Sequence, residues 1–219
     1  MQDNTRYTDQ EEYYFNYLKS QKTARKHKFS ILGIHHNNLD EFIRREILKL
    51  PKKSHVLDAG CGLSAWTTVF LRKNYNISGI DGEPEVIRVC KKIYKKQDYR
   101  VGNLYKTEYK KNLFDGIVMR EVIEHFKNPK KAVDEVYRIL KPDGILIITT
   151  PNYSSLLLHL IENTYNRFFG GPCKPYKDEV HPSKFDPNTL KKILSKKFTV
   201  ELLDSVDLGI SLTCVAKKK

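Results

Sequence analysis

The sequence predicts an α/β fold: a doubly wound, seven-stranded sheet, mostly parallel and finished by an antiparallel hairpin. Three observations predict it. Short apolar runs alternate with helical stretches between about residues 53 and 150, the signature of a parallel sheet covered on both faces. The first run ends in a glycine-spaced turn, Asp58-Ala59-Gly60-Cys61-Gly62. The last two runs are separated by only a short turn near Asp207 and Gly209, too short for a helical crossover.

Taken in order, residues 8–28 read as a helix with Tyr13, Tyr14, Phe15 and Tyr17 followed by a basic end. A second helix is expected over 38–50, where Leu39, Phe42, Ile43, Ile47 and Leu50 recur at helical spacing and Pro51 closes it. Together these make an N-terminal helical cap over 1–52. Strands are expected near 55–59, 76–80, 98–101, 114–119 and 144–150, with helices near 64–73, 84–96 and 129–140. The hairpin strands are 198–203 and 210–216. Between the fifth strand and the hairpin, Leu156 to Ile161 form an apolar helix that begins a cover insertion over about 153–185.

Composition bounds the chain without naming a partner. Its 219 residues suit one main domain, and 40% hydrophobic content supplies a full core. No run approaches the roughly 18 apolar residues of a membrane span, and the polar start Met1-Gln2-Asp3-Asn4 does not read as a signal peptide. Cys61, Cys90, Cys173 and Cys214 have no metal-binding spacing, so free thiols and a cytoplasmic location are expected. The net charge of +13 allows RNA as a partner, although lysines spread along the whole chain also solvate outer helices.

Chemistry concentrates at strand ends. Glycines at 60 and 62 let the backbone turn sharply and approach a ligand, and Asp81, closing the second strand, is placed to accept from ribose hydroxyls. The third glycine of a dinucleotide fingerprint is absent, and Asp58 would repel a pyrophosphate but attract an ammonium or sulfonium. Gly102-Asn103-Leu104 follows the third strand. The fourth strand exits through Arg120-Glu121-Val122-Ile123-Glu124-His125-Phe126, and i, i+3, i+4 spacing predicts that Glu121, Glu124 and His125 share one helical face. Lys141-Pro142-Asp143-Gly144 then leads to Thr149-Thr150-Pro151-Asn152.

These ordered motifs resemble the class I, Rossmann-like S-adenosylmethionine (SAM)-dependent methyltransferases, in particular the ubiquinone-biosynthesis-type O-methyltransferases. Ser64 stands where the family commonly has its last motif I glycine. The resemblance implies SAM as cofactor, with Asp58, Gly60, Gly62, Asp81, Asn103, Leu104 and Arg120 as cofactor-binding candidates. It implies His125 and Glu121 as catalytic candidates, His125 as general base. It also implies a site for Mg²⁺ or a similar ion at Glu121, Glu124 and His125, completed by His181. If all of these bind metal, His125 cannot also be the free base. The acceptor is expected to be small, aromatic or lipid-like. RNA 2′-O-methylation, a sugar or glycan acceptor, and a non-catalytic SAM-fold subunit are the alternatives.

Overall fold

A computed structural model describes residues 31–63, 71–95, 97–161 and 181–219. The helix expected over 8–28 and the cover residues 162–180 lie outside these. The sheet has seven strands: β1 His55–Ala59, β2 Asn76–Asp81, β3 Asp98–Val101, β4 Phe114–Arg120, β5 Leu140–Pro151, β6 Phe198–Val206 and β7 Ser211–Lys218. Their order is β3-β2-β1-β4-β5-β7-β6. The first five run parallel, and β7 runs antiparallel to both β5 and β6. The chain moves outward from β1 to β3 and then returns to lay β4 beside β1. That reversal opens a crevice beyond the carboxyl ends of β1 and β4, where such folds place their ligands.

The helices follow from local sequence. In α1 (Ile31–Ile47), Leu39, Phe42, Ile43 and Ile47 are buried on one stripe. The helix starts earlier than the expected residue 38 and gives way to a turn at Leu48, before Pro51. In α2 (Pro84–Ile93), Pro84 opens the helix, and Glu83 caps it by accepting from Glu85 N–H. In α3 (Pro129–Ile139), Asn128 caps by accepting from Lys131 N–H. The short α4 (Leu156–Leu160) is capped by Ser155. Helix α5 (Pro187–Leu194) has a reciprocal cap between Asp186 and Thr189, and buries Leu190 and Leu194. The element expected over 64–73 falls mostly outside the described residues, and Leu71–Asn74 form a turn.

Strand alternation divides the core between the two faces of the sheet, and a further cluster packs Tyr99 of β3 with Val86, Ile87 and Val89 of α2. Leu57, Ile117 and Ile148 face α3 and α5, while Val56, Val118, Ile147 and Val215 pack with Phe42, Ile43 and Ile47 of α1. Strand β5 starts at Leu140, four residues before the expected 144. Its pairing with β4 slips between Phe114 and Gly116, and Asp143 adopts a φ of 61°.

One lysine ties the far end of the sheet together. Lys218, 7% exposed, donates to Asn112 Oδ1 (2.9 Å), to the Tyr137 carbonyl (2.6 Å) and to the Leu140 carbonyl. Its ammonium also lies 4.4 Å from the Tyr137 ring centroid. Lys218→Met removes all four contacts and strands buried acceptors. It should lower unfolding stability by about 2–3 kcal/mol in a urea titration.

Candidate active site

The glycine turn hangs on β2. The N–H groups of Gly60 and Cys61 both donate to the Ile80 carbonyl, at 2.8 and 3.0 Å. Gly60 and Gly62 have φ of 73° and 46°, and a Cβ on Gly60 would lie 2.7 Å from Val122. Glycine is therefore required at 60 for both backbone and space. Asp81 braces the turn: one carboxylate oxygen accepts from Gly62 N–H at 2.8 Å, the other from Glu83 N–H at 3.0 Å. Both oxygens retain lone pairs for a ligand.

Beside this turn lies a cavity of about 680 Å³, within the usual range for small-molecule sites. It is lined by Gly60, Asp81, Gly82 and the segment from Val101 to Leu104, together with Glu121, Val122, His125 and Phe126 from the turn after β4. Asn103 closes an Asx turn, its Oδ1 accepting from Tyr105 N–H at 2.8 Å, and stays exposed on the cavity side. A smaller cavity of about 220 Å³, between α1 and the β6–β7 hairpin, contains none of the expected site residues.

Three expected cofactor residues, Arg120, Asp58 and Gly62, are not among the described residues lining the cavity. Arg120 bonds Asp40 at 3.0 Å and His36 at 3.1 Å, both on α1. Alternation along β4 explains this, since Arg120 shares a face with Val118, the face that packs on α1. Asp58 is 6% exposed and is not among the described residues lining the cavity. Its charge is felt by Tyr99 and Cys61, whose pKa values are pushed up, Tyr99 chiefly by burial and Cys61 chiefly by a hydrogen bond with Cys90.

The acidic turn after β4 also differs from expectation. Glu121 has a φ of 53°, and its N–H donates to the Thr149 carbonyl (3.0 Å) and Oγ1 (3.2 Å). This left-handed residue prevents a continuous helix, and only a 3₁₀ turn, Ile123–His125, follows. Glu121, Glu124 and His125 therefore do not share a helical face. Instead Glu124, His125 and His181 form a cluster whose candidate donor atoms lie within 4.8 Å of one another, without Glu121. Ser183 fastens the His181 segment to this turn, donating from N–H to the Glu124 carbonyl and from its hydroxyl to the Phe126 carbonyl.

The three clustered side chains have unequal environments. Glu124 is buried and accepts from the Thr150 hydroxyl at 2.9 Å; burial, then the neighbouring Glu121 carboxylate, push its pKa well up. His181 is buried, with Nδ1 2.6 Å from the Tyr153 hydroxyl and its ring 4.7 Å, edge to face, from His125. Burial, then the charges of His125 and Lys184, lower its pKa to about 4. His125 itself is exposed on the cavity wall. Sequence reading missed Gly82, Val101, Val122, Phe126 and Tyr153. Each adjoins a motif residue, Gly82 after Asp81, Val101 before Gly102, Val122 after Glu121, Phe126 after His125 and Tyr153 after Asn152, so sequence position could have flagged them.

The depressed histidine has a measurable consequence. An unfolded histidine gains a proton near pH 6.5, whereas folded His181 resists until about pH 4. Over that window the unfolded state binds more protons, so stability falls as pH drops from about 6.5 to 4 and levels off below. His55, lowered chiefly by burial, adds in the same direction. The raised Glu124 carboxyl acts in the opposite sense, so the His181 contribution is read as a difference: from about pH 6.5 to 4 the native protein should lose more melting temperature than His181→Gln.

Comparison with known proteins decides the family. Residues 34–198 match the family described as Methyltransferase domain. The chain belongs to the class I SAM-dependent methyltransferases. An uncharacterized protein of Methanocaldococcus jannaschii is 34% identical over 138 residues, covering 60% of this chain and 59% of that protein. The mitochondrial ubiquinone biosynthesis O-methyltransferase of Rattus norvegicus is 34% identical over 132 residues, covering 52% of this chain and 38% of that enzyme. The chain thus spans less than two thirds of the length of these curated relatives.

Among solved structures, a protein of Pyrococcus horikoshii aligns with a TM-score of 0.67 and 19% identity, over 84% of this chain and 91% of that one. The [4+2]-cyclase SpnF aligns with a TM-score of 0.65 and 17% identity, over 83% and 80%. These likenesses establish the fold only; a cyclase sharing it shows that the chemistry must be argued from the site. For this methyltransferase, two observations suit SAM: a glycine cradle that a Cβ would fill, and acidic groups, Asp81 and Glu121, in the cavity walls. Among the described residues, no helix is long and apolar enough to cross a membrane.

Proposed function

We propose that this methyltransferase transfers a methyl group to the oxygen of a small aromatic or lipid-like acceptor, with His125 as general base. The observation that carries the reading is His125 in the lining of the same cavity as Gly60 and Asp81. Bound SAM would supply a methyl group on a sulfonium, an electrophile that needs alignment more than activation. Gly60, Gly62, Asp81 and the Asn103-Leu104 corner would hold it. His125 takes the hydroxyl proton as the acceptor oxygen attacks and, being exposed, returns it to water. Neutral His181 packs edge-on against His125 and fixes its ring without competing for that proton. Likeness to enzymes named ubiquinone biosynthesis O-methyltransferases supports oxygen as the target.

The clustered donors do not suit Mg²⁺. Magnesium takes oxygen ligands in octahedral geometry, whereas this cluster offers two imidazoles and one carboxyl whose pKa burial pushes up. No step is routed through a metal, and methyl transfer should survive EDTA in full.

A second reading, RNA 2′-O-methylation, is favoured by one feature of the cavity rim. Phe126 lies 5.2 Å from Tyr105, Lys131 sits 5.6 Å above Tyr105, and Lys127 is exposed alongside. Aromatic rings with interleaved cations suit stacked bases and phosphates.

The test incubates the protein with methyl-labelled SAM and cell extract, with and without EDTA, then separates organic-soluble, small polar, RNA and protein fractions. Label in the organic or small polar fraction supports the proposal. Label in RNA, weakening steeply with salt, supports the second reading. No transfer into any fraction by a SAM-binding protein would mark a non-catalytic subunit.

A further inference from the structure

We infer that Glu121 is the counter-charge for a cationic group of bound SAM, rather than a metal ligand or a base. The inference rests on the cofactor reading of the cavity and is independent of the acceptor. Three observations carry it. Glu121 Oε1 is buried without a hydrogen-bond partner, the only carboxylate oxygen in that condition among the described residues. A buried acceptor left unpaired is costly, and a charged one more so, which points to a partner supplied by a ligand.

The backbone adds a second argument. Glu121 is held at a φ of 53° by two hydrogen bonds from its N–H to Thr149. Left-handed backbone is uncommon for a residue of this kind, and such positions concentrate at ligand-binding sites. Here it turns the side chain into the cavity wall instead of continuing the strand into a helix.

Position supplies the third. Glu121 is followed directly by Val122, whose methyl groups pack against the Gly60 turn. It therefore stands at the glycine end of the cavity, away from the adenine-side corner at Asn103. Asp58, the acid that sequence places at this end, is buried outside the described lining. Glu121 is also absent from the Glu124–His125–His181 cluster. SAM carries two cations near its methionine end, the sulfonium and the α-ammonium, and Glu121 is the carboxylate positioned to meet them.

Calorimetry on the full chain tests this with three ligands: SAM, S-adenosylhomocysteine and 5′-methylthioadenosine. The last keeps the adenosine and lacks both cations. Glu121→Gln preserves shape and removes the charge; Glu121→Asn also removes the charge, on a side chain one methylene shorter that tolerates left-handed backbone. Both should weaken SAM binding about ten- to a hundred-fold, as loss of a charged hydrogen bond does, with 5′-methylthioadenosine unchanged. An equal loss for S-adenosylhomocysteine assigns the partner to the α-ammonium, and a retained affinity assigns it to the sulfonium; either supports the inference. SAM affinity in both variants within about twofold of the native protein, or a parallel loss of 5′-methylthioadenosine, overturns it. If the native protein binds none of the three, the cofactor reading of the cavity fails instead.

Discussion

His125→Gln is expected to lower the rate of methyl transfer at saturating cofactor by about a hundred- to ten-thousand-fold, with SAM affinity unchanged. The imidazole lines the same cavity as Gly60 and is exposed to solvent. Glutamine fills similar space and can hydrogen-bond the acceptor hydroxyl, but it cannot carry the proton away. Initial rates with the acceptor fraction and labelled SAM, paired with calorimetry, separate the two roles. A residue that only shaped the cofactor site would raise the cofactor requirement and leave the saturated rate intact. The opposite pattern, a collapsed rate with normal binding, identifies the base.

Gly60→Ala is expected to abolish measurable SAM binding and to lower unfolding stability by about 2–4 kcal/mol, combining left-handed strain with overpacking. The new methyl would meet both Val122 methyl groups at 2.7 Å, on a backbone with φ of 73°. Relief would require moving the Glu121–Val122 segment, which also lines the cavity. Gly82→Ala is the control. Its added carbon would find nothing nearer than the Gly102 carbonyl at 3.9 Å, so stability should hold. Urea titration and calorimetry of both variants give the comparison.

The sheet was legible because its signals are local. Apolar runs ending in Asp58 and Asp81, and a hairpin too tight for a crossover, carry their own geometry, and all seven strands fall where those runs lie. Helix α5 was passed over, although Asp186-Pro187-Asn188-Thr189 is a cap written in sequence. The site was harder to read because side-chain direction at a strand's end depends on backbone conformation. Residue spacing placed Glu121 on a helical face with Glu124 and His125, but a single left-handed residue separated it. Arg120 looked like a cofactor residue from its place in the motif, yet strand parity turns it toward α1. His181 was brought into view by resemblance, and its contact with His125 depends on a tertiary fold-back that no local pattern specifies.

The strand order has a kinetic corollary. β7 follows β6 in the chain but lies between β6 and the rest of the sheet. The ladder of β6 is with β7, so β6 joins the sheet only with β7 or after it. Loosening β7 should release β6 as well. In native-state hydrogen exchange, amides of β6 and β7 should open together as one cooperative unit, while β1 and β4 stay protected.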